Sequence, residues 1–184
     1  MKRVYLIHGW HGISENDLFS WLSEELTKKG FEVKTFDMPN SFHPKIEEWV
    51  DFLHKEISNE EMDENTYFVG HSIGAQTIMR FLEKSHKHKK IGGCVFIAGW
   101  FKLVDLEPEE LEIAHPWQET PIDFERVLDH CNNFLAIFSK DDKNVHIEEA
   151  DKFKENLGAK IIIKENMGHF NKIKKIPEIL NFIK

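Results

Sequence analysis

Thr66-Tyr67-Phe68-Val69-Gly70-His71-Ser72-Ile73-Gly74-Ala75 is the stretch on which the fold is read. Its first four residues are β-branched or aromatic, as in a buried strand, and Ala75 through Leu82 carry apolar residues at helical spacing. Gly70-His71-Ser72-Ile73-Gly74 lies between them and has the G-x-S-x-G form of a nucleophile elbow. Such a turn needs small residues on both sides of the serine, because the arriving strand and departing helix nearly touch. The helix that follows aims its free N–H groups at the tip, where negative charge develops during acyl transfer. A serine between two glycines is common on surfaces. The strand before it and the helix after it give this one its meaning.

Outward from the elbow, short apolar runs alternate with helical patterns. Strands are expected at 3–8, 31–36, 65–70, 91–98, 133–138 and 160–164, most of them without strict alternation, as in parallel strands covered on both faces. Helices are expected at 15–29, 44–58, 74–85, 147–157 and 171–183. Ser14, with Asp17 three residues on, reads as the cap of the first helix, and Leu18, Trp21, Leu22 and Leu26 as its buried stripe. The alternation predicts a three-layer α/β/α sandwich with a central, mostly parallel six-stranded sheet. At 184 residues, with no repeat or linker, the chain reads as a single domain over 1–184. The stretch 99–132 is too long for a plain connection, and its prolines and aromatic residues predict a small cap-like insertion.

Bulk properties exclude several classes. No apolar run approaches the roughly 20 residues of a membrane span, and His8-Gly9 ends the apolar start too early for a signal peptide, so a cytoplasmic protein is expected, with no membrane role. Acidic residues outnumber basic ones 32 to 24, which argues against a nucleic-acid surface. The basic cluster His86-Lys87-His88-Lys89-Lys90 follows a helix and reads as its solvated end. Cys94 and Cys131 form no disulfide framework, no His or carboxylate pair has metal-ligand spacing, and no cofactor is called for.

A serine hydroxyl needs a base within hydrogen-bond reach and a third group to orient that base. In folds of this kind the partners follow in the order serine, acid, histidine, each after a later strand. Ser139-Lys140-Asp141-Asp142-Lys143-Asn144-Val145 follows one expected strand, and Glu165-Asn166-Met167-Gly168-His169-Phe170 follows the next. Among eleven histidines, His169 has the right placement; His8 and His11 fall in the first loop, and His71 is expected to point away within the elbow. A sheet order of 2-1-3-4-5-6 would bring the loop Leu6-Ile7-His8-Gly9-Trp10 beside the elbow at the topological switch point. The N–H groups of Ile73 and Trp10 are then the expected oxyanion hole. Trp100, Phe101 and Trp117 are candidates for an apolar substrate pocket.

With these residues in place, the chain resembles the small α/β-hydrolases of the YdeN type, the family that includes the retinoblastoma-binding serine hydrolase. The resemblance rests on Val4-Tyr5-Leu6-Ile7-His8-Gly9, Phe19-Ser20-Trp21-Leu22, the elbow, Pro121-Ile122-Asp123-Phe124-Glu125, Asp141-Asp142 and Gly168-His169-Phe170. It implies a minimal α/β-hydrolase fold and a triad of Ser72, Asp142 and His169. In such proteins the acid is commonly followed by two residues, an aliphatic residue and Pro; Asp142-Lys143-Asn144-Val145 fits that register, His146 replaces the Pro, and Asp141 stays in reserve. The expected activity is hydrolysis of a small carboxylic ester. The alternative is a protein-binding module that retains the fold, although no protein partner is indicated.

Overall fold

The structure, a computed structural model, describes residues 1–57, 62–86 and 90–184. Six strands, β1 (Arg3–Ile7), β2 (Glu32–Phe36), β3 (Thr66–His71), β4 (Gly93–Ile97), β5 (Phe134–Ser139) and β6 (Lys160–Lys164), form one sheet in the order β2-β1-β3-β4-β5-β6. Every neighbouring pair is parallel, with Ile7 opposite Gly70 and His71 opposite Ile97. β3, β4 and β5 are buried almost throughout, which is why their sequences run apolar without alternation. Among the described residues seven helices flank the sheet: α1 (Asp17–Lys28), α2 (Ile46–Glu56), α3 (Ile73–Lys84), α4 (Pro108–Glu119), α5 (Phe124–His130), α6 (Glu149–Leu157) and α7 (Pro177–Phe182). One core lies on the face of α2, α3, α5 and α6, around Trp49, Phe68, Phe81 and Phe153; the other lies under α1 and α7, around Phe19, Leu22, Val69 and Ile179. This is the expected α/β/α sandwich.

Three local expectations are corrected. The cap of α1 is Asn16, whose side-chain oxygen accepts from the Phe19 N–H at 2.9 Å, whereas the Ser14 N–H is engaged by Asp37 at 2.8 Å. Phe19 completes the buried stripe of that helix in place of Trp21, which is half-exposed. The final helix does not span 171–183. It begins at Pro177, since proline fits the first helical turn but blocks a helix arriving from before it. The expected helix 44–58 corresponds to α2, with its last residue, Ser58, outside the described residues; so are Lys87, His88 and Lys89 of the basic cluster.

The stretch between β4 and β5 holds α4 and α5. Pro108 opens α4, and the Glu107 N–H donates to Glu110 Oε2 at 2.9 Å, closing its first turn. Asp123 caps α5 through the Arg126 N–H. The far end of α4 is held by a buried cation: Arg80, on α3, donates to the carbonyls of Trp117 at 3.1 Å, Thr120 at 2.7 Å and Pro121 at 3.5 Å. Among the described residues no helix is long and apolar enough to cross a membrane.

Candidate active site

Ser72 sits between β3 and α3 at φ 54° and ψ −120°, a conformation that L residues rarely adopt. Crowding around the turn explains both flanking glycines. A Cβ on Gly70 would lie 2.7 Å from backbone atoms of Gly74 and Ala75, and one on Gly74 would collide with the Ile7 carbonyl. The strain is held by the sheet, because the Ser72 N–H donates to the Ile97 carbonyl at 2.8 Å. Ser72 is thereby fixed at the carboxyl edge of the central strands, with the start of α3 behind it.

The loops after β5 and β6 bring two more side chains to this point. The Ser72 hydroxyl lies 2.9 Å from His169 Nε2, and His169 Nδ1 lies 2.8 Å from Asp142 Oδ2. With Nδ1–H donating to the carboxylate, Nε2 is free to accept the serine proton. The Asp142 side chain is almost wholly enclosed, and its Oδ1 accepts the N–H groups of Asn144 at 3.0 Å and Val145 at 3.1 Å. Burial works to raise its pKa, but the hydrogen bond and charge of His169 and the two N–H donors outweigh burial and leave it below the ordinary carboxylate value.

Asp141, the reserve acid, faces elsewhere. Its Oδ1 accepts from the Ser139 hydroxyl at 2.5 Å and from the Met167 and Gly168 N–H groups at 3.1 and 3.2 Å, pinning the loop that carries His169. His71 does not point away, contrary to expectation: its Nε2–H donates to the His169 carbonyl at 2.8 Å. Burial first, and the nearby His169 second, push the pKa of His71 down to about 3, so its ring is neutral.

Ile73 opens α3, so its N–H lies in the first turn, which lacks intrahelical acceptors. The loop Gly9–Gly12 passes against the elbow; a Cβ on Gly9 would come within 3.3 Å of the Ser72 Cβ. Trp10 follows, its indole N–H donating to the Phe42 carbonyl at 2.9 Å. His8, which sequence reasoning left as a loop residue, fixes this segment. Its Nδ1 is 2.7 Å from the Gly9 carbonyl and its Nε2 accepts the Met38 N–H at 2.9 Å, a pairing only the Nδ1–H tautomer can make. Burial lowers its pKa, which keeps that tautomer neutral.

A cavity of about 150 Å³ opens at Ser72, lined by Trp10, His11, His71, Ser72, Leu103, Leu106, Glu110, Asn144, His169 and Asn171. The three aromatic candidates divide. Trp100 is fully buried and directs its indole N–H at Ser72 Oγ, 3.2 Å away. Phe101 and Trp117 do not line this cavity. Phe101 packs on Phe124 and Phe153, and Trp117 crosses Trp49 edge-on with its N–H on the Pro44 carbonyl. Large aromatic rings after a strand fill a core as readily as a pocket, and sequence cannot separate the two.

The sequence profile of the serine hydrolase family matches residues 4–177. The chain belongs to the serine hydrolase family. YdeN of Bacillus subtilis is 30% identical over 169 residues, covering 92% of this chain and 86% of that protein. The crystal structure of the ydeN gene product superposes with a TM-score of 0.87 at 28% identity, over 98% of this chain and 96% of that one. The serine hydrolase RBBP9 of Rattus norvegicus is 24% identical over 180 residues, 96% of this chain and 86% of that protein. The Pyrococcus furiosus esterase PF2001 shares the fold, with a TM-score of 0.63 at 17% identity over 97% of this chain and 78% of that one. This member of the serine hydrolase family is therefore a hydrolase with the α/β-hydrolase fold.

Sequence reasoning missed two further features of this serine hydrolase. Glu149, buried at the start of α6, accepts the Phe101 N–H at 2.6 Å and the Lys102 N–H at 3.3 Å. Gln76 and Arg80 lie four residues apart on the buried side of α3. Two polar residues inside an apolar helical stripe were the available signal. Among the described residues no group of three or more His, Cys, Asp or Glu side chains is placed to hold a metal ion.

Proposed function

We propose that this hydrolase cleaves small carboxylic esters by covalent catalysis, with Ser72 as nucleophile, His169 as base and Asp142 as its orienting acid. One observation carries the reading: the Ser72 hydroxyl, the His169 ring and the Asp142 carboxylate are joined by hydrogen bonds of 2.9 and 2.8 Å. His169 Nε2 takes the hydroxyl proton as Oγ attacks the ester carbonyl. Asp142 holds the ring in the Nδ1–H tautomer and stabilises the imidazolium, and the N–H groups of Ile73 and Trp10 receive the oxyanion. Each such donor contributes roughly 10²–10³ in rate. Collapse expels the alcohol, which takes its proton from His169; water then repeats the sequence and releases the acid.

The cavity supports a small substrate. About 150 Å³ beside the nucleophile accommodates a short acyl group. Leu103, Leu106 and Glu110 come from the stretch 99–132, which acts as a small cap on a single α/β-hydrolase domain. A protein-binding module would have no use for two aligned hydrogen bonds at a strained serine.

A fluorophosphonate probe tests the assignment. Wild-type protein should become labelled and should hydrolyse p-nitrophenyl acetate and butyrate, while folded Ser72→Ala does neither. Labelling that persists in folded Ser72→Ala would remove Ser72 as the nucleophile.

A further inference from the structure

Ser72 Oγ has a second partner besides His169. The hydroxyl oxygen carries one proton and two lone pairs. Its proton is directed at His169 Nε2, and one lone pair accepts the Trp100 indole N–H at 3.2 Å. The other lone pair remains for the carbonyl carbon. We propose that Trp100 is a catalytic residue whose indole N–H fixes the rotamer of Ser72 and stabilises negative charge on Oγ whenever the Oγ–acyl bond forms or breaks. This inference rests on Ser72 being the nucleophile.

The protein holds Trp100 in place from several sides. Ala98, at the end of β4, has φ 46°, a second left-handed residue beside that of Ser72. The Ala98 N–H donates to Ile137 at 2.8 Å, just as the Ser72 N–H donates to Ile97. Gly99 lets the chain turn inward against α3 and α6; a Cβ there would lie 2.7 Å from Phe153 Cζ and 3.0 Å from the Ala75 Cβ. The Trp100 carbonyl accepts Gln76 Nε2 at 3.0 Å, and Gln76 Oε1 accepts Arg80 Nη2 at 3.0 Å and Nε at 3.3 Å. Glu149 grips the next two backbone N–H groups. The indole thus has little freedom to turn away from Oγ. Gln76, Arg80 and Glu149 are positioning residues that act through it.

The electron balance says when the donor matters. In acylation the Oγ–H bond breaks toward His169, the Oγ pair forms the bond to carbon, and the carbonyl π pair moves to oxygen; that pair then returns, the bond from carbon to the alcohol oxygen breaks, and the alcohol leaves with the His169 proton. In deacylation water adds to the acyl carbon as His169 takes its proton and the carbonyl π pair moves to oxygen; the oxyanion pair then returns, the carbon–Oγ bond breaks, its pair goes back to Oγ, and His169 returns the proton. Oγ passes through alkoxide character in both. A hydrogen bond to a charged oxygen is stronger than one to a hydroxyl or an ester oxygen, so the indole favours both transition states over the states they connect. A wall residue behaves differently, changing one acyl chain more than another and acting mainly through KM.

Two variants test this. Trp100→Phe keeps most of the buried ring, and a benzothienylalanine placed at position 100 keeps nearly the whole shape while replacing N–H by sulfur. Stopped-flow kinetics with p-nitrophenyl acetate and butyrate would separate acylation from deacylation, and fluorophosphonate labelling would report attack alone. We expect both step constants and the labelling rate to fall by about 10- to 100-fold, equally for the two esters, in the benzothienyl protein with its melting temperature preserved. Rates within twofold of wild type in that protein would overturn the proposal. So would loss of only one step, or a loss that depends on acyl length. If wild-type protein itself fails to label, the proposed function has failed; if it labels and the benzothienyl protein labels equally fast, only the role of Trp100 has.

Discussion

Acid should destabilise this protein through His71 in an amount that can be separated from its other histidines. The ring donates to the His169 carbonyl and is pushed down to a pKa of about 3, from an ordinary value of 6.5. Between those values the unfolded chain binds a proton at this site and the folded chain does not, so stability must rise with pH across the window. The contribution is complete above pH 6.5 and is lost as the pH falls toward 3. Moving from pH 7.5 to 5.0 gives a ratio of binding polynomials near 30, or about 2 kcal/mol from this one ring. His71→Gln cannot titrate and retains a side-chain N–H donor. Urea unfolding followed by tryptophan fluorescence at both pH values gives the two losses. The wild-type loss should exceed that of His71→Gln by about 2 kcal/mol, because the other titratable groups are common to both proteins and their contributions cancel in the difference. Equal losses would mean that His71 takes a proton in the folded state as readily as in the unfolded one, and would refute the neutral ring.

Asp142→Asn should reduce kcat by about 10⁴-fold by leaving the wrong imidazole tautomer, whereas Asp141→Asn, which retains an acceptor for the His169 loop, should lose far less; steady-state kinetics on the two folded variants would show an inverted order if the register were wrong. Arg80→Met strips the donor from the carbonyls of Trp117, Thr120 and Pro121. It should cost about 3 kcal/mol or more in urea unfolding, and a cost below about 1 kcal/mol would mean that water replaces the guanidinium. Leu106→Ala enlarges the cavity at Ser72 and should move the optimum of a p-nitrophenyl ester series toward longer acyl chains; an unchanged series would place the acyl group elsewhere.

The sheet was legible because parallel strands buried on both faces write themselves as unbroken apolar runs, and all six expected strands correspond to observed ones. The observed strand order is the one under which the elbow and the first loop meet. The positions of Ser72, Asp142 and His169 at strand ends were readable for the same reason, since topology alone brings those ends to one edge. What escaped was contact between side chains distant in sequence. Nothing local distinguishes a Trp100 that reaches a serine from a Trp117 that braces Trp49. The role of Asp141 depends on N–H groups 26 and 27 residues away. Pro177 was legible and passed over; it sets the start of α7 by a local steric rule.

Exchange of parts between related proteins meets a constraint at α3. That helix follows directly on Ser72, with Gln76 one turn further on and Arg80 in the turn after that, where the guanidinium closes the end of α4. A chimera that receives another protein's 99–132 stretch would keep Ser72 but leave this cation facing carbonyls that had moved or vanished. The transplant would need positions 76 and 80 carried with it, although they lie outside the exchanged segment. In recombination the unit is therefore discontinuous, the insertion together with one face of the helix behind it.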